Sequence, residues 1–297
     1  MPDIILGIID GYEVKEIAPF VLSLRARGYN DDVVIFGNDV PEEAEEFLIQ
    51  HKVRLIRFFR LGERASKYAR YGFFHMFKYC GKFFPRLDFP FRRQIIKFIW
   101  DCQSSRFFFY EDFLRKNKSR YENVLICDIR DVVFQRHPFT EKISPGVFLF
   151  EEYGEVAISG QQSNYMWINM AFGKHVLSEL AEKPVICSGV VLGTCPDMRK
   201  FLSDFNAFLC VHWRRGGFDQ AALNYLVYKN RLSYVSVRQF GKGPVINLAI
   251  VPTPKIKLGE NGEVLCDDNS VCPIIHQYDR HLNLKARVSE LYAYDRG

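Results

Sequence analysis

The sequence delivers two carboxylates and a guanidinium where a buried strand gives way to a turn. Residues 123–127 read Asn-Val-Leu-Ile-Cys, and Asp128, Arg130 and Asp131 follow at once. In open α/β sheets ligands bind beyond the C-terminal ends of the strands. Carboxylates delivered there suit a hard cation such as Mg²⁺ or Mn²⁺ bridging a diphosphate. The residues alone leave a second reading open, a turn that holds an Asp-Arg-Asp ion-pair set. Arg130 adds a chemistry of its own, because a guanidinium grips phosphate oxygens in pairs. No G-x-G-x-x-G fingerprint and no P-loop occurs, so dinucleotide-binding and NTPase readings fail.

Three later stretches carry polar residues in apolar or turn settings. They are Cys187-Ser188-Gly189-Val190-Val191-Leu192-Gly193, Gly217-Phe218-Asp219-Gln220-Ala221-Ala222-Leu223-Asn224 and Ile274-Ile275-His276-Gln277-Tyr278. Together with Asp128-Ile129-Arg130-Asp131 and the Pro138-Phe139 that follows, they resemble the GT-A fold glycosyltransferases. Asp128-Ile129-Arg130-Asp131 is similar to the D-x-D motif, and Cys187 to Gly193 is similar to an N-S-G-hydrophobic-G strand. Gly217 to Asn224 resembles a D-Q-x-x-x-N helix, and Ile274 to Tyr278 a late I-x-H segment. The order and spacing hold from about residue 3 to 282.

The resemblance implies a single α/β domain over residues 1–297, a Rossmann-like, mostly parallel sheet flanked by helices. It implies transfer of a sugar from a nucleoside diphosphate sugar to a hydroxyl on a glycan, lipid or protein. Asp128, Asp131 and His276 would then hold a divalent cation, Mn²⁺ or Mg²⁺. Arg106, Asp128, Arg130, Ser188 and Gly189 would bind the donor, with Asp219 and Gln220 at the reacting carbon. Two positions depart from the pattern. Arg130 stands at the third residue of D-x-D, and Cys187 stands where Asn is usual. Either the two aspartates share the cation, or Arg130 neutralises the diphosphate itself. A non-catalytic nucleotide-sugar or glycan-binding relative is the alternative. On this reading Asp128→Asn abolishes turnover and leaves the melting temperature nearly unchanged.

Other polar residues have competing readings. Arg106 sits in Ser-Ser-Arg-Phe-Phe-Phe, either as a phosphate contact or as a solvated helix charge. Glu151 and Glu152 end a strand and could line the acceptor side or form a surface salt bridge. His281 is a second candidate beside His276, whereas His51, His75, His137 and His175 are isolated and read as structural. His212 to Arg215 form either a substrate-covering loop or a plain basic loop.

The elements that position these residues follow from periodicity. Asp3 to Asp10, Asp32 to Phe36 and Val53 to Phe58 read as buried parallel strands. Ile17, Phe20, Val21 and Leu24 mark an amphipathic helix that ends near Gly28. Pro41 opens a helix with glutamates in its first turns. Residues 54–120 form a helical, basic and aromatic segment, its last piece running over 91–118. Strands resume at 123–127, 146–150 and 185–192, with helices at 196–210 and 218–230. After Gly241 the chain reads as an irregular tail.

Composition sets the outer limits. The chain has 297 residues and is 48% hydrophobic and 25% charged, which excludes disorder. Its net charge of +5 is uneven. Residues 54–118 carry sixteen Lys and Arg against five Asp and Glu, a net of +11 that leaves −6 elsewhere. That window could steer an anionic donor or make a peripheral membrane contact, or be solvated helix faces around an aromatic core. No nucleic-acid motif accompanies it, so no nucleic-acid partner is expected. The eight cysteines show no zinc spacing and read as buried thiols. With no apolar run near 20 residues and no signal peptide, a cytoplasmic location is expected.

Overall fold

The computed structural model describes residues 1–61, 85–139, 143–212 and 217–294, the side chains of 85–90 excepted. The basic stretch between 62 and 84 and the loop at 213–216 therefore lie outside the described residues. The architecture is α/β, with a seven-stranded sheet covered by helices on both faces. Strands β1 (Ile4–Asp10), β2 (Asp32–Asn38), β3 (Val53–Arg57) and β4 (Asn123–Cys127) are parallel neighbours in the order 3-2-1-4. A short strand, β5 (Val132–Phe134), follows the aspartates. The main sheet continues through β7 (Ile186–Thr194), β6 (Val147–Glu151) and β8 (Val235–Arg238), with β7 antiparallel to both its neighbours.

The reversal of β7 positions the site. Its N-terminal end lies beside the C-terminal end of β4, with Val190 opposite Cys127. The β6–β7 register also slips between Leu149, opposite Val191, and Phe150, opposite Cys187. Ser188, Gly189 and Val190 thus have no partner on β6. Such irregularities re-aim residues next to functional sites. Here Gly189 turns its carbonyl to the Asp128 amide at 2.9 Å.

Each sheet face has its own core. One face packs on α4 (Cys102–Lys116), α6 (Cys195–Val211) and α7 (Phe218–Tyr228), where Trp100, Phe107, Phe201, Phe205 and Phe218 are fully buried. Phe107 meets Phe205 edge-on at 4.9 Å, the arrangement that ring quadrupoles favour. The other face packs on α1 (Val14–Ala26) and α2 (Glu42–Gln50) through Ile17, Phe20, Phe47 and Leu48. Gly28, at φ +77°, ends the turn after α1 in a conformation that favours glycine.

Four sequence expectations change. The piece read as helical over 91–118 is two helices, α3 (Pro85–Ile99) and α4. Asp101 separates them, and its carboxylate accepts the Ser104 amide at 2.9 Å as the N-cap of α4. A helix that the sequence reading missed, α5 (Gln162–Leu180), bends at Gly173, whose φ is +83°. The segment after Gly241 is not simply irregular. Its β9 (Val245–Asn247) and β10 (Ile274–His276) join β5 in a three-stranded sheet, and α8 (Leu282–Leu291) follows. Several charges of the basic segment are paired internally: Arg93 with Glu111 and Asp112, Lys97 with Asp112, and Arg60 with Asp10. Among the described residues no helix is long and apolar enough to cross a membrane, and no cysteines are joined in a disulfide.

Candidate metal and anion site

The site forms where β4 ends. Asp128 leaves the sheet first, and the turn through Arg130 brings Asp131 back beneath it as β5 begins. Strand β10 pairs antiparallel with β5, placing His276 opposite Val132. The imidazole Nε2 then lies 3.4 Å from Asp128 Oδ2 and 3.6 Å from Asp131 Oδ1. Three residues from three elements thus converge, their candidate ligand atoms within 4.8 Å of one another, and the group could hold a metal ion.

Hydrogen bonding fixes the imidazole. Asn247 donates its amide to the Glu151 carbonyl at 3.0 Å, which turns its Oδ1 to His276 Nδ1 at 2.8 Å. An acceptor there makes Nδ1 the protonated nitrogen. Nε2, buried and without a hydrogen-bond partner, faces the two carboxylates. A lone pair aimed at two anions is unfavourable unless a proton or a cation stands between them. A fixed second nitrogen is also the usual setting of a metal-binding histidine. The buried orphan nitrogen and the oxygen-rich donors fit a divalent cation.

Arg106 is the second organising charge. It is 2% exposed, so it is a buried contact and not a solvated helix charge. Its guanidinium pairs with Asp128 Oδ1, donates to the Ser188 carbonyl at 2.8 Å and stands 3.6 Å from Asp219 Oδ2. Burial works against its charge, but Asp128 and Asp219 outweigh that and raise its pKa. Burial would likewise raise the Asp128 pKa; Arg106 and His276 instead hold it well below the usual carboxylate range. Asp219, 4% exposed, is raised by burial despite Arg106.

Ser188, Asp219 and Gln220 form one network. Ser188 Oγ donates to Asp219 Oδ2 at 3.0 Å. Gln220 donates both amide hydrogens, to Glu152 Oε1 and Asn164 Oδ1 at 3.0 Å each, so its Oε1 faces the Ser188 amide at 3.3 Å. Glu152 is 3% exposed and also accepts from Gln161, so neither a surface salt bridge nor an open acceptor wall describes it. Burial raises its pKa. Asn224 faces inward, clamping both backbone groups of Ile186 to α7. His281 is structural too, held between Thr253 Oγ1 and the Leu248 carbonyl.

A cavity of about 350 Å³ opens beside Asp128. Asp128, Arg130, Asp131 and Arg106 line it, whereas Ser188, Gly189, Asp219, Gln220 and His276 lie behind Arg106 and Asp128. Asp10, Tyr12, Arg60, Asp101 and Cys102 complete its wall, and the sequence reading singled out none of them. One signal was present, because Asp10 ends the first buried strand as Asp128 follows the fourth. Asp10 is held by Asn38 at 2.7 Å and Arg60 at 2.6 Å. Arg130 is exposed on the cavity wall; partial burial opposes its charge, but Tyr12, Asp131 and Asp279 nearby raise its pKa. The start of α4 adds positive dipole at the same wall.

No protein-family model matches the chain, and no curated protein matches it in sequence.

Proposed function

We propose that this protein transfers a sugar from a nucleoside diphosphate sugar to a hydroxyl acceptor, as GT-A fold glycosyltransferases do. The observation that carries the reading is the meeting of Asp128, Asp131 and the orphan His276 Nε2 beside a cavity that also presents Arg130. The strand order, with β7 alone reversed among parallel strands, is compatible with that fold.

In this reading Asp128, Asp131 and His276 hold a divalent cation, which when bound neutralises charge growing on the diphosphate. The mixed oxygen and imidazole set favours Mn²⁺ over Mg²⁺. Arg130 grips a phosphate oxygen from the solvent side. Arg106 keeps Asp128 ionised and fixes Asp219, so that neither carboxylate must reorganise as charge develops. Ser188, which donates to both Gln220 and Asp219, fixes Asp219 behind Arg106, and in this reading Asp219 is assigned to the reacting carbon. Its burial-raised pKa suits it to accept the acceptor's proton or to stabilise the anomeric carbon.

A thermal-shift series with UDP, GDP and CMP, each with and without Mn²⁺, tests the proposal, followed by a screen of nucleotide-sugar turnover. Stabilisation by a nucleoside diphosphate that needs Mn²⁺, together with turnover, is expected. No stabilisation by any nucleotide overturns it. One observation favours a binding-only relative: Arg106 already neutralises Asp128 and approaches Asp219. Nucleotide stabilisation without turnover of any sugar donor would select that reading.

A further inference from the structure

We infer a second ligand site, for a small organic acid with an apolar body, in the cavity between β6 and the loops leading into β9 and β10. It does not depend on the sugar-transfer reading and shares no lining residue with the cavity at Asp128. Its volume is about 560 Å³, within the several hundred cubic ångströms usual for ligand pockets. The floor is apolar: Phe148, Phe150 and Leu192 project from β6 and β7 on the face of the sheet that carries α1 and α2. Asp219 and α7 belong to the opposite face.

The rim decides the charge of the occupant. Arg136, Arg238 and Lys242 stand around the floor with Asp267 and Asp268. The two acids each have a partner, so three cations stand against two partnered acids. Asp267 faces Lys257 Nζ at 3.8 Å, and Asp268 accepts the amide and hydroxyl of Ser270 at 2.9 and 2.7 Å. The cations have no such partners. Lys242 reaches only the neutral Gln239 Oε1, at 2.9 Å. Arg238 lies over the Phe148 ring at 4.9 Å, and Arg136 makes no ion pair among the described residues. Three uncommitted cations above a floor of two aromatic rings and a leucine match an acidic head, phosphate or carboxylate, on a flat or branched hydrocarbon. Neither half alone uses the whole cavity.

Isothermal titration of the full chain with 1-naphthyl phosphate tests this. Saturable binding is expected, and inorganic phosphate or 1-naphthol alone should bind at least about tenfold more weakly, about 1.4 kcal/mol. Arg136→Gln with Arg238→Gln, and separately Ser144→Trp at the cavity mouth, should each lower affinity by about tenfold or more with an unchanged melting temperature. Arg130→Gln, in the other cavity, should leave it unchanged. Absence of saturable binding, or binding lost in Arg130→Gln but kept in the Arg136/Arg238 variant, overturns the site. Competition by phosphatidylcholine vesicles containing phosphatidic acid identifies a lipid headgroup as the natural source. Binding that such vesicles do not compete identifies a free acid, and either result supports the same cavity.

Discussion

Gly189 and His276 are packed so closely that no side chain fits between them. A Cβ on Gly189 would lie 2.3 Å from His276 Cε1 and 2.7 Å from Asp128 Oδ2. The glycine is there for space, not for its own backbone angles. Its missing side chain lets the imidazole of one sheet reach the aspartate of the other. Because Ser188 to Val190 are released from β6 by the register slip, this bare stretch of β7 lies directly over the carboxylates.

Gly189→Ala should therefore push His276 and Asp128 apart with little change in backbone conformation. Overpacking of this kind costs about 1–3 kcal/mol. Mn²⁺ affinity, read by calorimetry, should fall by at least about tenfold, the size expected when a ligand is displaced. Full retention of Mn²⁺ binding would show that His276 is not needed at the site.

Asn247→Leu removes the acceptor that fixes His276 Nδ1. The imidazole loses its enforced tautomer, and metal affinity should drop by about 10- to 100-fold, as for other outer-shell partners. Stability should fall by about 1–3 kcal/mol, because the backbone carbonyls that Asn247 serves become unsatisfied. Asn247→Asp keeps an acceptor at that position and should recover part of the affinity. Equal loss in both variants would argue that Asn247 acts on folding alone.

Asp128 was legible because a continuous apolar strand ran straight into it, and the edge of an α/β sheet is where ligands gather. His276 and Asp219 were legible only through resemblance, since no local pattern marks them. Arg106 was ambiguous for a physical reason. Its helix periodicity is the same whether it faces solvent or core, and the acids that bury it lie 22 and 113 positions further along the chain. Asn247 went unseen because a three-residue strand among glycines and prolines carries no period. Helix α5 was missed because its apolar face is broken at Gly173 and because Tyr165, Met166 and Met170 lie exposed on it.

Asp128→Asn should abolish metal-dependent turnover, but its effect on stability departs from the sequence-based expectation of a silent change. Asp128 is the main counter-charge of Arg106, which has no exposure to recover hydration. Removing one partner of a buried pair costs about 3–5 kcal/mol, and the 31% exposure of Asp128 places this case near the lower end. Asp131→Asn makes the contrast. Its one ion pair among the described residues is with His276, so Mn²⁺ binding should weaken while stability changes by no more than about 1 kcal/mol. Urea unfolding of both variants without metal checks the difference; equal destabilisation would refute it.

The pH dependence separates the same groups. Burial opposes a charge on His276, yet Cys187, Asp131 and Asp128 hold its pKa well above the ordinary histidine value. A raised pKa contributes stability fully below the unfolded value, about 6.5, and loses it as pH climbs through the folded value. The metal-free protein should therefore lose stability on the alkaline side of neutrality. The depressed Asp128 acts in the opposite sense. Its contribution is complete above its unfolded value, about 3.9, and is lost as pH falls below that toward the folded value. A cation needs the Nε2 lone pair, so Mn²⁺ must displace the His276 proton. Affinity should rise by up to about tenfold per pH unit while that proton is bound. His276→Gln should flatten the dependence and remove the alkaline loss. An Mn²⁺ affinity that stays constant from about pH 6 to about pH 9 in the native chain would exclude His276 as a ligand.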